Sequence, residues 1–178
     1  MDLNKLLKPR SIAVVGATDR VGSFGESAAR QALKSSVSGP VYLINPSRES
    51  LFGHTCYKSI DEIPEVTDVV VICTPRDAIV PILRQAAEMG FGSAVVYASG
   101  FSEEHTEIGD ALEQEMVEIS RKHGFPILGP NCGGLLNNED KISLWGLTTG
   151  FDYQVVTLEG TNYLLYHLSL QLRRSIVR

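Results

Sequence analysis

The sequence has few cysteines, no long apolar run and no excess of basic residues, and each of these absences excludes a class of protein. Its three cysteines, Cys56, Cys73 and Cys132, are an odd and widely spaced set, which fits neither a disulfide framework nor a zinc-binding pattern. No stretch approaches the roughly 18 unbroken apolar residues of a membrane-spanning helix. The net charge of −5 argues against nucleic acid as the main partner, because binding a phosphate backbone requires a basic surface.

The N-terminal residues 1–11 lack the apolar core and the cleavage site of a signal peptide. Together with the unpaired cysteines, this predicts a cytoplasmic protein with reduced thiols and no membrane association. The chain is 43% hydrophobic over 178 residues, which is enough to bury a sizeable core in one domain or slightly more.

What the sequence does contain is an alternation of short apolar runs and longer segments with helical spacing. We predict strands over 11–16, 40–46, 67–75, 93–100 and, in short form, within 125–134. We predict helices over 27–35, 77–90 and 102–124, the last with Ser102 as its N-cap and Gly124 beyond its C-terminal end. This order predicts an α/β fold of the Rossmann-like type, an open parallel sheet with helices on both faces.

The alternation ends near Asp140, and the residues beyond it differ in composition. No acidic residue follows Glu159, whereas Arg173, Arg174 and Arg178 lie close to the end of the chain. Residues 162–178 fit either an amphipathic helix or an edge strand, and their periodicity does not decide between the two. We therefore divide the chain into a domain over 1–137 and a divergent or truncated C-terminal tail over 138–178.

The first predicted strand runs into a glycine-rich loop, with Gly16, Gly22 and Gly25 spaced unlike the usual dinucleotide-binding pattern. In open parallel sheets, ligands bind beyond the carboxyl ends of the strands. The N–H groups of such a loop and the N-terminal end of the next helix favour a phosphate, to which Thr18 and Ser23 add hydroxyl groups. The alternative is an ordinary glycine-rich turn that binds nothing.

The end of the second predicted strand argues against NAD. The NAD pattern requires an acidic residue there to accept hydrogen bonds from the ribose hydroxyls, but this strand ends in Asn45 and Pro46, followed by Ser47 and Arg48. An arginine at this place favours a phosphate on the ribose. The sequence thus leaves open NADP or another nucleotide with an extra ribose phosphate, such as coenzyme A.

Six segments in order resemble the CoA-binding domain of the NDP-forming acyl-CoA synthetases, the family of the ADP-forming acetyl-CoA synthetase and of the succinyl-CoA synthetase α subunit. These segments, within about residues 7–137, are SIAVVGAT, YLINPS, GHTCYKSIDEIP, DVVVICTP, VVYASGFSE and ILGPNCGGLLN. The resemblance implies a Rossmann-like domain that holds coenzyme A by its pyrophosphate and adenosine. It also implies that the pantetheine arm points toward the catalytic machinery.

The resemblance further implies which residues contact coenzyme A, one turn after another along the edge of the sheet. The glycine-rich loop contributes Gly16, Thr18, Asp19, Arg20 and Ser23, and the next turn contributes Asn45, Pro46, Ser47 and Arg48. The later turns contribute Thr74 and Pro75, then Ser99, Gly100 and Phe101, and finally Asn131. Cys132 is adjacent to this last residue, but the sequence offers no base to activate its thiol, so we expect no catalytic cysteine.

The sequence departs from this family in its last part. The family has a further glycine-rich phosphate loop and a histidine that is phosphorylated, and we find neither around His54, His105, His123 or His167. We therefore expect the chain to supply the CoA site of an acid–CoA ligase that forms acyl-CoA from an acyl phosphate. A partner chain would carry the ATP-grasp and phosphohistidine segments. The alternative is a stand-alone regulatory module that binds CoA or NAD(P).

Overall fold

The structure is a computed structural model that describes residues 2–146 and, for the backbone only, residues 163–167. The described helices are α1 (Asn4–Leu7), α2 (Phe24–Lys34), α3 (Ile79–Met89) and α4 (Glu107–His123), with 3₁₀ turns at Arg76–Ala78 and Ser102–Glu104. The described strands are β1 (Ile12–Val15), β2 (Val41–Ile44), β3 (Ser50–Leu51), β4 (His54–Tyr57), β5 (Val69–Ile72), β6 (Ala94–Val96), β7 (Ile127–Leu128), β8 (Cys132–Asn137), β9 (Ile142–Trp145) and β10 (Tyr163–His167).

Strand β1 lies in the middle of a sheet whose described strands run in the order β3-β4-β2-β1-β5-β6-β7. Every neighbouring pair is parallel except the edge pair of β3 and β4, which is antiparallel. Ile12 of β1 is aligned with Val41 of β2 and with Val69 of β5, so the three strands end together. The predicted Rossmann-like fold is confirmed.

The apolar side chains of β1 divide the core into two clusters. Ala13 and Val15 belong to one cluster, together with residues of α3 and α4. Ile12 and Val14 belong to the other, together with alanines of α2 and residues of β8 and β9. Because successive strand residues point to opposite faces, this division means that both faces of the sheet are covered.

A second, antiparallel sheet has β8 at its centre, between β10 and β9. Its register aligns Leu135 of β8 with Leu144 of β9 and with Leu165 of β10. The alternatives left open for residues 162–178 are therefore decided for 163–167, which form a strand. The remainder of that segment lies outside the described residues.

Two helices begin at different residues from those predicted. Helix α2 begins at Phe24, three residues early, because the Ser23 hydroxyl accepts a hydrogen bond from the Glu26 N–H and caps it. The prediction that Ser102 caps α4 is wrong: Thr106 is the N-cap, and it accepts from the Gly109 N–H. His105, in the left-handed conformation at φ +54°, separates the preceding 3₁₀ turn from α4.

The β3–β4 hairpin was not among the predicted elements. Its two turn residues, Phe52 and Gly53, both have positive φ values of 54° and 82°. A two-residue turn with positive φ at both positions matches the twist of an antiparallel pair. The glycine at the second turn position was the available signal.

Asp68, immediately before β5, is expected to make stability depend on pH. The N–H and Nε of Arg10 donate to its Oδ2, each over 3.0 Å. Burial by itself would raise the pKa of Asp68, but the hydrogen bonds and charge of Arg10 lower it below its usual value. Because the folded-state pKa is depressed, the stabilisation is complete above the unfolded pKa of about 4 and is lost as the pH falls through the folded value.

Asp68→Asn is accordingly expected to lower the free energy of unfolding by about 1–2 kcal/mol near neutral pH, since it removes a charge-assisted pair. The difference between the natural chain and the variant should shrink below about pH 4. Urea unfolding at a series of pH values measures both quantities. A difference that stays the same at pH 3 contradicts this role.

Candidate functional site

A cleft of about 270 Å³ lies at the carboxyl edge of the parallel sheet, beyond the ends of β5, β6 and β7. Residues from three separate turns line it, together with the start of α2: Phe24, Cys73, Thr74, Tyr97, Ala98, Ser99 and Asn131. Three predicted site residues, Thr74, Ser99 and Asn131, are therefore brought together from distant parts of the sequence.

The three glycines of the first loop have different roles. Gly16 has φ +82°, and a Cβ placed on it would lie 2.9 Å from the Cys73 carbonyl oxygen. A Cβ on Gly25 would lie 2.2 Å from the Gly16 carbonyl oxygen, whereas one on Gly22, also at φ +82°, would have no heavy atom within 4 Å. Gly16 and Gly25 are thus required by packing within the protein, and Gly22 leaves the loop open to its surroundings.

The polar side chains of this loop divide into anchored and exposed groups. The Ser23 hydroxyl donates to the Arg20 carbonyl over 2.7 Å and also caps α2, and the Thr18 hydroxyl accepts from the Arg20 N–H. Asp19 and Arg20 are exposed. The loop therefore holds the N-terminal end of α2 and its free N–H groups at the sheet edge, which is an arrangement that favours anions.

Asn45 connects the first loop to the turn after β2. Its side-chain Nδ2 donates to the Ala17 carbonyl over 2.7 Å, and its Oδ1 accepts from the Ser47 N–H over 2.9 Å. Both polar atoms of the amide are thus used within the protein. We therefore assign Asn45 to positioning the two loops, while Pro46 and Ser47 beside it are exposed.

Arg48 reaches across from this turn to the glycine-rich loop. Its Nη2 donates to Asp19 Oδ1 over 2.8 Å, and the two side chains are 47% and 57% exposed. Arg48 therefore lies at the exposed side of the glycine-rich loop, and its predicted contact with a ribose phosphate stays a prediction. Asp19 and Arg48 were both predicted site residues, but their ion pair could not be recognised from the sequence.

Thr74, after β5, has a buried hydroxyl oxygen with no hydrogen-bond partner among the described residues. An unsatisfied buried hydroxyl is costly, and Thr74 is among the residues that line the cleft. Pro75, beside it, is exposed. Arg76 follows, and its Nη1 donates to the Gly100 carbonyl over 3.2 Å, which connects the turns after β5 and β6.

The turn after β6 is held largely by its own side chains. The Glu103 carboxylate accepts from the N–H groups of Gly100 and Phe101, over 2.7 and 3.1 Å. The Phe101 ring is fully buried in the core. Of the three predicted contact residues here, Ser99 is exposed and lines the cleft, whereas Gly100 and Phe101 shape the turn.

The thiols near the cleft are not activated. Burial raises the pKa of Cys132 to about 12 and raises the pKa of Cys73 further still. The Cys132 Sγ donates to the Val96 carbonyl over 3.3 Å. Both thiols are therefore protonated at neutral pH, which agrees with the expectation that Cys132 is no nucleophile.

Cys132→Ser is expected to change affinity for coenzyme A by less than threefold, or ~0.65 kcal/mol, because a serine hydroxyl can donate to the same Val96 carbonyl. The free energy of unfolding should fall by about 1 kcal/mol, since a more polar group is buried. Calorimetric titration and urea unfolding measure the two effects. A tenfold loss of affinity would assign a larger role to this thiol or its turn.

One aromatic contact of the site was not predicted. Phe24, 39% exposed, stacks on Tyr97 with the ring centroids 5.5 Å apart, and the Tyr97 hydroxyl donates to the Leu144 carbonyl over 2.8 Å. Both rings line the cleft. Their pairing depends on tertiary contact between residues 73 positions apart, for which the sequence carries no local signal.

A larger groove of about 460 Å³ lies between α3 and α4, and none of the predicted site residues lines it. Within residues 2–146, no group of three or more histidine, cysteine or acidic side chains is arranged to hold a metal ion. Among the described helices, none has the length and apolar character needed to cross a membrane.

The fold and the open edge together define a Rossmann-like domain with a glycine-rich loop after its first strand. The family model of the CoA-binding domain matches residues 10–138. The chain belongs to this family of CoA-binding domains. The resemblance noted in the sequence is therefore confirmed.

Individual relatives agree with this assignment. The ADP-forming acetate–CoA ligase II of Archaeoglobus fulgidus is 36% identical over 159 residues, covering 89% of this chain and 23% of that protein. The α subunit of the ADP-forming acetate–CoA ligase II of Pyrococcus furiosus is 34% identical over 146 residues, covering 82% of this chain and 32% of the subunit.

A solved structure is similar over the same region. The dinucleotide-forming acetyl-coenzyme A synthetase 1 of Ca. Korarchaeum cryptofilum, in complex with phosphate and ADP, superposes with a TM-score of 0.74 and 34% identity. The match covers 81% of this chain and 30% of that one. This chain thus spans between about a fifth and a third of the length of these relatives.

Proposed function

We propose that this chain binds coenzyme A along the carboxyl edge of its parallel sheet and supplies the CoA site of an acid–CoA ligase. The observation that carries the proposal is the position of Arg48, whose side chain lies against the glycine-rich loop. It follows closely on Asn45, which stands where an NAD-binding protein has an acidic residue. A guanidinium at this place suits a ribose that carries a phosphate.

The phosphate end of coenzyme A fits the first loop. Gly22 is open to its surroundings, and Ser23 fixes the N-terminal end of α2 beside it. In the proposal, the N–H groups of this loop and the helix terminus bind the pyrophosphate, since they combine free donors with a favourable dipole. Asn45 holds this loop against the turn that carries Arg48.

The cleft fits the pantetheine arm of coenzyme A, which carries no charge. The orphaned Thr74 hydroxyl gives a polar arm a hydrogen-bonding partner, and the stacked Phe24 and Tyr97 rings give it apolar surface. Ser99 and Asn131 complete the polar lining. Bound coenzyme A would supply the thiol that accepts the acyl group, and the protonated Cys73 and Cys132 do not compete with it.

The remaining steps of a ligase require groups outside this domain. We propose that ATP-grasp and phosphohistidine segments on a partner chain form the acyl phosphate. The role of this domain is then to bind coenzyme A and to hold its thiol arm in the cleft. One of the relatives is itself the α subunit of a ligase, which supports such a division of the enzyme between chains.

Calorimetric titration of the chain with coenzyme A, NAD and NADP tests the proposed function. We expect coenzyme A to bind at least tenfold more tightly than either nicotinamide cofactor, a difference of about 1.4 kcal/mol. NADP is the stringent comparison, because it also carries a ribose phosphate. A clear preference for NAD or NADP would refute the assignment.

A further inference from the structure

The ion pair between Asp19 and Arg48 places an acidic side chain on the arginine that the proposed function assigns to a phosphate. Asp19 belongs to the loop after β1 and Arg48 to the turn after β2, and their side chains meet over 2.8 Å at the exposed edge. We infer that Asp19 is a specificity-determining residue, which competes with the 3′-phosphate of coenzyme A for Arg48 and thereby weakens the binding of coenzyme A. This inference rests on the proposed function.

The pair is not needed to hold the two loops together. The Asn45 side chain already connects them through the Ala17 carbonyl, and Ser23 fixes the other end of the glycine-rich loop. With both partners about half exposed, the ion pair itself adds little to stability. A structural explanation for Asp19 is therefore weak, and its contact with Arg48 bears instead on what the arginine binds.

A carboxylate and a phosphate are rival acceptors for the same guanidinium. A phosphate carries more charge and more acceptor oxygens than a carboxylate, so it can displace Asp19, but it must first break the existing hydrogen bond. The Asp19 charge also repels a ligand that is itself highly anionic. Both effects lower the affinity for coenzyme A, and both are moderate because the groups are exposed to solvent.

Asp19→Asn removes the competing charge and nearly preserves the shape of the side chain. We expect this variant to bind coenzyme A threefold to tenfold more tightly than the natural chain, with a smaller gain for 3′-dephospho-CoA. When Arg48→Ala is already present, Asp19→Asn should tighten coenzyme A and 3′-dephospho-CoA equally. The guanidinium for which Asp19 and the 3′-phosphate compete is then absent. Calorimetric titration of the four proteins with both ligands measures the coupling.

Asp77→Asn is the matched control. Asp77 is an exposed carboxylate at the same edge of the sheet and is paired with its neighbour Arg76. Asp77→Asn changes the net charge by the same amount as Asp19→Asn but removes no partner of Arg48. The control should leave the ratio of the two affinities unchanged. If Asp77→Asn tightens coenzyme A as much as Asp19→Asn does, the effect is one of net charge and the inference is wrong.

The remaining outcomes separate this inference from the proposed function. If the natural chain prefers coenzyme A but Asp19→Asn leaves the affinity unchanged or weakens it, Asp19 does not compete, and only the inference fails. If the natural chain does not bind coenzyme A, the proposed function fails and the inference falls with it. The inference is also wrong if Asp19→Asn tightens the binding of coenzyme A by the same factor in the Arg48→Ala variant as in the natural chain.

Discussion

Replacing Gly25 with alanine is expected to lower the free energy of unfolding by about 3 kcal/mol, because the new Cβ would lie 2.2 Å from the Gly16 carbonyl oxygen. The carbonyl belongs to the backbone at the end of β1, so neither side can turn away and α2 must shift. That shift displaces Ser23 and the N-terminal N–H groups of the helix. Affinity for coenzyme A should therefore fall by more than tenfold.

Gly22→Ala is the control for this variant. Gly22 belongs to the same loop and has φ +82°, but a Cβ there meets no heavy atom within 4 Å. Its cost should be confined to the left-handed backbone conformation, about 1 kcal/mol. Urea unfolding of both variants gives the comparison. Equal stabilities for the two would contradict the close contact between β1 and α2 that the structure describes.

The second large effect is expected from Arg48→Ala, measured with coenzyme A and 3′-dephospho-CoA. The natural chain should prefer coenzyme A by about tenfold to a hundredfold, since a charge-assisted hydrogen bond contributes about 1.5–3 kcal/mol and solvent reduces it. The substitution should erase most of this preference. Binding of 3′-dephospho-CoA should hardly change, because that ligand lacks the phosphate in question.

Arg84→Ala provides a matched loss of positive charge for this experiment. Arg84 is 51% exposed, close to the 47% of Arg48, and is paired with Glu115 between α3 and α4. It lines the groove that contains no predicted site residue. The preference for coenzyme A should survive in this variant. If Arg48→Ala also retains the preference for coenzyme A over 3′-dephospho-CoA, Arg48 is only a surface residue. Another arginine at this edge of the sheet then binds the 3′-phosphate.

Much of the fold was predictable because a parallel sheet imposes strong local patterns. Buried runs such as 69–72 are apolar throughout, and glycines such as Gly90 and Gly124 end helices in the left-handed conformation. The start of α4 was not predictable from these signals. Ser102 and Thr106 are both suitable caps, but the N–H and the hydroxyl of Ser102 both donate to the Glu113 carboxylate, eleven residues away.

The candidate site was predictable by position and less so by role. The sheet topology places the residues after each strand on one edge, which brought Thr74, Ser99 and Asn131 to one cleft. Whether a polar group faces a ligand or the protein depends on contacts that the sequence does not record. Asn45 is the clearest example, since its amide is used within the protein to join two loops.

The most direct measurement of the central claim is a crystal structure of the chain with coenzyme A bound. The 3′-phosphate is predicted to lie within hydrogen-bonding distance of Arg48, about 3 Å, with the pyrophosphate at the N–H groups that precede α2. The thiol arm is predicted to enter the cleft between Thr74 and Asn131. A nucleotide bound in the groove between α3 and α4, or a 3′-phosphate turned away from Arg48, would contradict the account.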